Sequence, residues 1–532
     1  MLRNYLFLCI CFTTNWLFAQ KPILTDAFDF SIGEKYKKIK NLQSYNFVQG
    51  TYLASFKKGR NDMTIQRFDL ETLKEDIKKR QVIEDKGEFQ TVMKLGAKAL
   101  VFYAVKDKAY VQGVSITGKV AEKPLLLVND AQNIAEDFGF KSTYGFDAGG
   151  RINKFAFKKS FNETKLLVIY RIKTPDDTPD KVGLQVYDAS LELIWKRKIE
   201  LPHASSYFTP EDFSVDDEGV FYMSGSVFSE KTENKDKVEQ FYKTELYTLT
   251  KDAEDFTKAT LTLENKVVTN AILGLNKTGA VALTGLFAAM QSPHIASGIF
   301  SVGITASGSI RNLIVSAFPA DKVALYASER ETRINEGTQN KKDITEFEKL
   351  RVNKVSYDSD GAFTILGEQR FVESFTTSSS SGSRTTYQYY YNHIVAAKSS
   401  NEGKMVWINV LPKKQMGVRG KASMSYYPIA LKNKFYLFHV DHFTNLKKSF
   451  AEMPDRYQDA KKDFLYLVSY TINNQTGEVQ KEPVLTGRDV RNSRLDHLFI
   501  SKIAQNTKGA LFYELNDGSK NNLLLQLKPS FQ

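Results

Sequence analysis

Seven times along the chain, a turn built on Gly, Lys, Asn or Asp is followed at once by a run of strand-forming apolar and aromatic residues. The units lie at 97–103, 164–170, 218–222, 278–283, 360–366, 433–438 and 508–513; Lys165-Leu166-Leu167-Val168-Ile169-Tyr170 and Asp360-Gly361-Ala362-Phe363-Thr364-Ile365-Leu366 are typical. Marked by their Lys or Gly, they recur about every 68 residues, long enough for one small antiparallel sheet with generous loops. A chain that repeats such a unit folds as a set of similar sheets.

A second signal follows the first in most units: an alternating strand, a polar turn, then another strand that often ends in a large residue. Leu184-Gln185-Val186-Tyr187 runs on to Leu193-Ile194-Trp195, and Ile394-Val395-Ala396-Ala397 runs through Gly403-Lys404 to Met405-Val406-Trp407. Two ordered signals per unit describe one four-stranded antiparallel sheet repeated around an axis. The expected fold is therefore all-β, a β-propeller of seven or eight four-stranded antiparallel blades with short helical insertions. An eighth unit at 45–83 lacks one turn signal but favours eight. After Gly509 only 523–527 reads as a further strand, so the last sheet is expected to borrow a strand near 28–32 and close the ring without exposed edges.

This pattern resembles β-propellers whose blades read as strand, Thr-Gly or Asn-Gly turn, then a strand ending in Trp, as in quinoprotein-like repeats. The likeness spans about 40–530 and concerns architecture. Beyond residue 19 only Trp195 and Trp407 remain, so the regular Trp docking of quinoprotein dehydrogenases is missing and no cofactor is carried over. The Lys-, Asn- and Tyr-rich style also resembles uncharacterised exported propellers of the Bacteroidota.

Arg3, the apolar stretch 5–12 and Leu17-Phe18-Ala19 before Gln20 have the order of a secretory signal peptide, expected over 1–19, with a single propeller domain over 20–532. Both cysteines, Cys9 and Cys11, lie inside it, so disulfide and thiolate chemistry are not expected in the processed chain. The apolar stretch 271–290 carries Asn276, Lys277, Thr278 and Gly279 in its middle and reads as a hairpin, so no transmembrane span is expected. Net charge is +12, spread along the chain without a dense basic block, which argues against nucleic acid and allows an envelope protein or anionic polysaccharide as partner. A periplasmic location is favoured, with outer-membrane association or release from the cell as alternatives.

Three insertions break the rhythm, at about 320–353, 375–392 and 443–464, and short helices are expected over 341–350 and within the third. Segments that leave a repeat are where function tends to sit. In 375–392, Tyr387, Tyr389 and Tyr391 fall on one strand face and Tyr390 on the other; alternate tyrosines offer rigid amphipathic contact area, or simply pack between blades. His439-Val440-Asp441-His442 is the one histidine cluster; His439 and Asp441 share a face while His442 points away, so a metal site is a weaker reading than a structural one. Asp358–Gly361 and Asp216–Gly219 resemble calcium-loop starts, but Gln369 stands where an EF-hand needs Glu, and both pairs sit at expected hairpin turns. No nucleophile elbow, phosphate loop or zinc-protease helix occurs, and the final strand leaves no sign of an appended hydrolase domain. These features point to a non-enzymatic exported binding or assembly module, with a glycan-active lyase or hydrolase sited in the central funnel as the alternative.

Overall fold

The computed structural model describes residues 25–530 except 42, 60–61, 83–86, 97, 116–122, 130–132, 136–152, 176–177, 229–240, 277–278, 323–346, 380–381, 419–422 and 459–464. The expected signal peptide, Cys9, Cys11 and most of the helix expected over 341–350 lie outside the described residues; Leu350 itself begins a strand.

Among the described residues the strands form eight antiparallel sheets that follow one another in chain order. Blade 1 is Gln43–Gln49, Tyr52–Lys58, Asp62–Asp69 and Glu75–Val82; blade 3 is Phe155–Lys159, Lys165–Ile172, Pro179–Asp188 and Leu193–Ala204; blade 4 is Phe208–Val215, Phe221–Phe228, Phe241–Leu249 and Thr257–Leu261. The first strand of each blade is innermost: Phe208–Val215 touches Lys266–Leu275 of blade 5, which touches Leu350–Tyr357 of blade 6, and Ala504–Gln505 of blade 8 touches Gln43–Gln49 of blade 1. The protein is an eight-bladed β-propeller.

The buried apolar side chains among the described residues fall into eight clusters, one at each blade interface, including that between blade 8 and blade 1. In blade 3, Leu166, Val168 and Tyr170 pack against blade 2, whereas Leu167 and Ile169 pack against blade 4. The second strand of a blade is thus covered on both faces, which is why it reads as an unbroken apolar run rather than an alternating one. That run is the recurring signal of the sequence.

Phe28–Ile32 pairs antiparallel with Asn521–Pro529, with Phe28 opposite Pro529 and Ile32 opposite Leu525. It supplies the outermost strand of blade 8 from the other end of the chain, as the sequence suggests. The turns that open the second strands of blades 4 and 6 share one build: Gly219 N donates to the Asp216 carbonyl at 3.1 Å and Gly361 N to that of Asp358 at 3.2 Å. Gly219 at φ +85° and Gly361 at φ +93° occupy the left-handed region that a side chain disfavours.

Candidate functional site

Antiparallel order sends all first-to-second and third-to-fourth connections to one face of the ring, and all second-to-third and blade-to-blade connections to the other. On the first face the connections are mostly tight turns, such as 50–51, 216–220, 305–309, 400–404 and 474–478. On the second face lie 412–418, 443–458 and 487–503, and the strand ends that flank 130–154, 229–240 and 318–349 open there as well. The ring is therefore strongly one-sided in what it can present to a partner.

Blade 6 carries the largest departure. The insertion at 375–392 is not a loop: it extends two strands, Phe363–Ser379 and Gly382–Ser399, into a ribbon paired from Arg370–Tyr391 to Ser379–Gly382. One ribbon face runs Tyr391, Tyr389, Tyr387. Tyr391 is 1% exposed inside the core between blades 7 and 8, Tyr389 packs on the edge of that core, and Tyr387 is 52% exposed. On the other face Tyr390 stacks on Phe371 at 4.5 Å, the Arg456 guanidinium lies over the Tyr390 ring at 5.7 Å, and Phe375 is 48% exposed. Of the four tyrosines singled out by the sequence, Tyr390 and Tyr391 are buried at the root of the ribbon, Tyr389 is half-buried against the same core, and Tyr387 is exposed.

Arg456 belongs to the neighbouring insertion of blade 7, whose described part holds a three-residue 3-10 turn, Phe443–Asn445. Asn445 fixes this insertion: its Nδ2 donates to Asp441 Oδ1 and to the Asp455 carbonyl, both at 2.8 Å, and its Oδ1 accepts from Asp455 N at 2.6 Å. Tyr457–Gln458 then pairs in parallel with Gln415–Gly417, which itself pairs with Tyr389–Tyr391. Asp441 is accordingly a brace for the loops. His439, on the same strand face, is wholly buried against Tyr470 at 5.1 Å, and His442 caps the 3-10 turn by accepting from Thr444 N. Burial, with Lys413 and Lys481 nearby, holds His439 well below the usual histidine range, and burial pushes Asp441 up to about 6. The three residues do not converge on one point.

Beneath the ribbon lies a sealed charge cluster that sequence reasoning missed. Lys413 pairs with Glu368 at 2.8 Å, both wholly buried, and Lys413 also donates to the Tyr391 carbonyl at 2.6 Å. Ser425 Oγ donates to Glu368 at 2.7 Å, and Gln415 bridges Lys413, Ser425 N and the Val440 carbonyl. The clue in the sequence is Glu368-Gln369-Arg370, which interrupts the apolar run of the second strand; the partner, Lys413, comes from a connection whose path no local pattern reveals.

A second missed group sits between blades 3 and 4 on the same face. The Glu245 carboxylate, wholly buried, meets His203 Nε2 at 2.7 Å, Lys243 at 2.7 Å, Lys258 at 3.6 Å and the Tyr247 hydroxyl. Burial would raise its pKa, but the bonds from Lys243, Tyr247 and His203 outweigh burial and hold it at about 2.

The possible calcium starts are turns. Asp216 Oδ1 accepts from Glu218 N and Val220 N at 3.0 and 2.8 Å, and Asp358 meets Lys398 at 2.6 Å and Asn474 at 3.0 Å. Trp195 Nε1 donates to the Gly219 carbonyl at 2.9 Å, docking blade 3 onto the turn of blade 4, and Trp407 Nε1 does the same to the Asn474 carbonyl at 3.1 Å.

No family model and no curated protein matches the chain. Among solved structures it is similar to a quinohemoprotein alcohol dehydrogenase from Pseudomonas putida, at 10% identity over 94% of this chain and 77% of that one, with a TM-score of 0.42. It is similar to the β-propeller domain of the trilobed protease from Pyrococcus furiosus, at 11% identity over 86% of this chain and 98% of that one, with a TM-score of 0.33. A protein of unknown function from Bacteroides caccae has 11% identity over 69% of this chain and 93% of that one, with a TM-score of 0.27. These neighbours thus include a quinohemoprotein dehydrogenase, the propeller domain of a protease and a protein of unknown function. Among the described residues no helix is long and apolar enough to cross a membrane.

Proposed function

We propose that this propeller is an exported binding or assembly module of the cell envelope, contacting a protein or glycan partner through the face that carries the long connections. The observation that carries this reading is the ribbon of blade 6, rooted by Tyr390 and Tyr391 and ending in exposed Tyr387 and Phe375. A rigid scaffold holding aromatic side chains at its rim is suited to recognition. The leader-like order of 1–19 supports export, and the periplasm is the favoured compartment. The test compares wild type with a variant in which 374–387 is replaced by a two-residue turn. Both are used to capture partners from an envelope extract and to bind immobilised anionic polysaccharides. A partner held by the wild type and released by the variant is expected; none held by either overturns the reading.

A second reading, a lyase or hydrolase acting on acidic glycans, is favoured by one site. His203, in contact with solvent, is oriented by a sealed carboxylate and flanked by Lys243 and Lys258, an arrangement able to move a proton beside an anionic sugar. This group lies between blades 3 and 4 rather than at the funnel expected from the sequence. Product formation from a panel of anionic glycans, abolished in His203→Ala, would replace the first reading.

A further inference from the structure

In blade 6 the strand Phe363–Ser379 loses one neighbour part-way along. Leu350–Tyr357 covers one of its edges only as far as the Leu350–Gln369 pair. Arg370 N still donates to the Lys349 carbonyl at 3.1 Å, but upstream of Lys349 the chain turns to blade 5, where Glu348 bridges Ile295 and the Phe347 carbonyl accepts from Ala296 N. From there on, 370–379 pairs on its other edge with Gly382–Ser399. Among the described residues no strand covers the first edge over 371–379, and the side chains of 373–378 are exposed. The opposite edge of the ribbon is covered at its root, where Gln415–Gly417 pairs with Tyr389–Tyr391.

An open edge presents a row of unpaired N–H and C=O groups, and natural sheets blunt it with lysine, proline or a bulge. Outer strands of other blades are blunted in this way. Glu75–Val82 carries Lys78, Lys79 and Arg80, and Leu193–Ala204 carries Lys196, Arg197, Lys198 and Pro202. The edge Phe371-Val372-Glu373-Ser374-Phe375-Thr376-Thr377-Ser378-Ser379 has no lysine, no proline and no shift of register against its partner strand, and it is rich in strand-forming residues. A two-stranded ribbon standing alone is marginally stable in water and gains from further strands.

We propose that the 371–379 edge pairs antiparallel with the same edge of a second copy of this chain, about a two-fold axis at Phe375, so that two ribbons form one four-stranded sheet. A two-fold axis makes the contact self-complementary and closed. Charge selects the register. Glu373 and Arg384 are the only charged residues in 371–389, and neither side chain has a partner among the described residues. With Phe375 opposite its own copy, Glu373 faces Thr377 of the second copy, and Thr377 is itself paired with Arg384. Glu373 and Arg384 of the other copy then lie in one row on one face, two strand spacings or about 10 Å apart at Cα, with only the short Thr377 between them. The axis makes this contact twice. Each ribbon tip comes to lie beside the root of the other, taking up the edge where Leu350–Tyr357 leaves off. This goes beyond the binding role, because the edge is used while Tyr387 stays exposed on a ribbon face.

The test is sedimentation equilibrium of the full-length protein with no other partner present. A reversible dimer is expected. Phe375→Asp sets two carboxylates face to face on the axis and is expected to weaken the dimer at least about tenfold, with an unchanged thermal midpoint because Phe375 is 48% exposed. Glu373→Lys is expected to weaken it and Glu373→Lys/Arg384→Glu to restore it, a rescue that a general effect of charge would not give. Residues directly opposed across an antiparallel pair lie about 4.5–5.5 Å apart at Cα, within disulfide reach. Phe375→Cys is therefore expected to cross-link to its own copy under mild oxidation, above the background of wild type with Cys9 and Cys11, and Thr377→Cys is not. A wild type that stays monomeric would overturn the proposal, and so would a dimer that Phe375→Asp leaves intact or that Phe375→Cys fails to cross-link. A monomer that captures an envelope partner would overturn the dimer and keep the binding role; a dimer that captures none would do the reverse.

Discussion

The Lys413 ammonium lies 2.8 Å from the Glu368 carboxylate with both side chains sealed from solvent, directly under the strand that leads into the tyrosine ribbon. Removing one partner strands a buried charge, so Glu368→Ala is expected to cost about 3–5 kcal/mol in urea unfolding. Replacing both, as Glu368→Leu/Lys413→Met, is expected to cost much less, because the desolvation cost of both ions disappears together. If the double variant is as unstable as the single one, the network of Ser425 and Gln415, rather than the charge pair, holds this connection.

The ribbon separates anchoring from contact along one face. Tyr391→Ala is expected to lose about 3–5 kcal/mol, since its ring fills the core between blades 7 and 8. Tyr387→Ala is expected to change stability by less than about 0.5 kcal/mol while weakening partner binding. Chemical denaturation of both variants, beside the capture assay, checks the division.

Asp441 gives a pH signature with a definite sign. Its carboxyl is pushed from 3.8 up to about 6 in the folded chain, first by burial and against the pull of Asn445, His442 N, Lys481 and Lys413. The folded state therefore binds a proton that the unfolded state has released, and this group's contribution to stability falls as pH rises from about 4 to about 6. The span is on the order of 1–3 kcal/mol. The stability of Asp441→Asn minus that of wild type, followed across pH 4 to 7, is expected to rise through that window; a flat difference would show that the carboxylate is solvated through the loop.

Glu245 has the opposite sign. Held near 2, below its usual 4.5, it supports the fold above about pH 4.5 and loses that support as pH falls toward 2. Glu245→Gln is expected to lower stability at pH 7 by a few kcal/mol and to flatten the acid limb of the stability curve. An unchanged acid limb in the variant would mean that the cations around Glu245 are neutralised elsewhere.

The ring was legible in the sequence because the second strand of each blade is covered on both faces, and that demand writes Leu166–Tyr170 and its equivalents as unbroken apolar runs. Turn chemistry was legible for the same local reason: Gly219 and Gly361 sit at positive φ. The site was legible only in outline. Interruption of the rhythm located the ribbon, but whether Tyr390 and Tyr391 face a core or solvent depends on blades 7 and 8 and on Arg456, far along the chain. Glu368 and Lys413, like His203 and Glu245, come together through tertiary contacts that carry no sequence period.

Ring closure supplies the last prediction. Phe28–Ile32 covers the outer edge of Asn521–Pro529, and Phe28 packs edge-on to Tyr436 at 5.5 Å and Phe438 at 5.1 Å in blade 7. A few residues on, Tyr36 donates to Glu514 at 2.5 Å and lies 4.9 Å from Phe68 of blade 1, so one short segment grips blades 7, 8 and 1. Without it, blade 8 keeps three strands and Asn521–Pro529 becomes an open edge, which invites pairing between molecules. Deleting 25–37 is expected to abolish cooperative unfolding and to drive aggregation. Phe28→Asp, which keeps the strand but places a charge in the aromatic cluster, is expected to cost on the order of 3–5 kcal/mol. Soluble yield and calorimetry distinguish the outcomes: a deletion variant that stays monomeric with the wild-type midpoint would mean that packing between blades 8 and 1, through Phe512, Leu524 and Leu53, closes the ring without this strand.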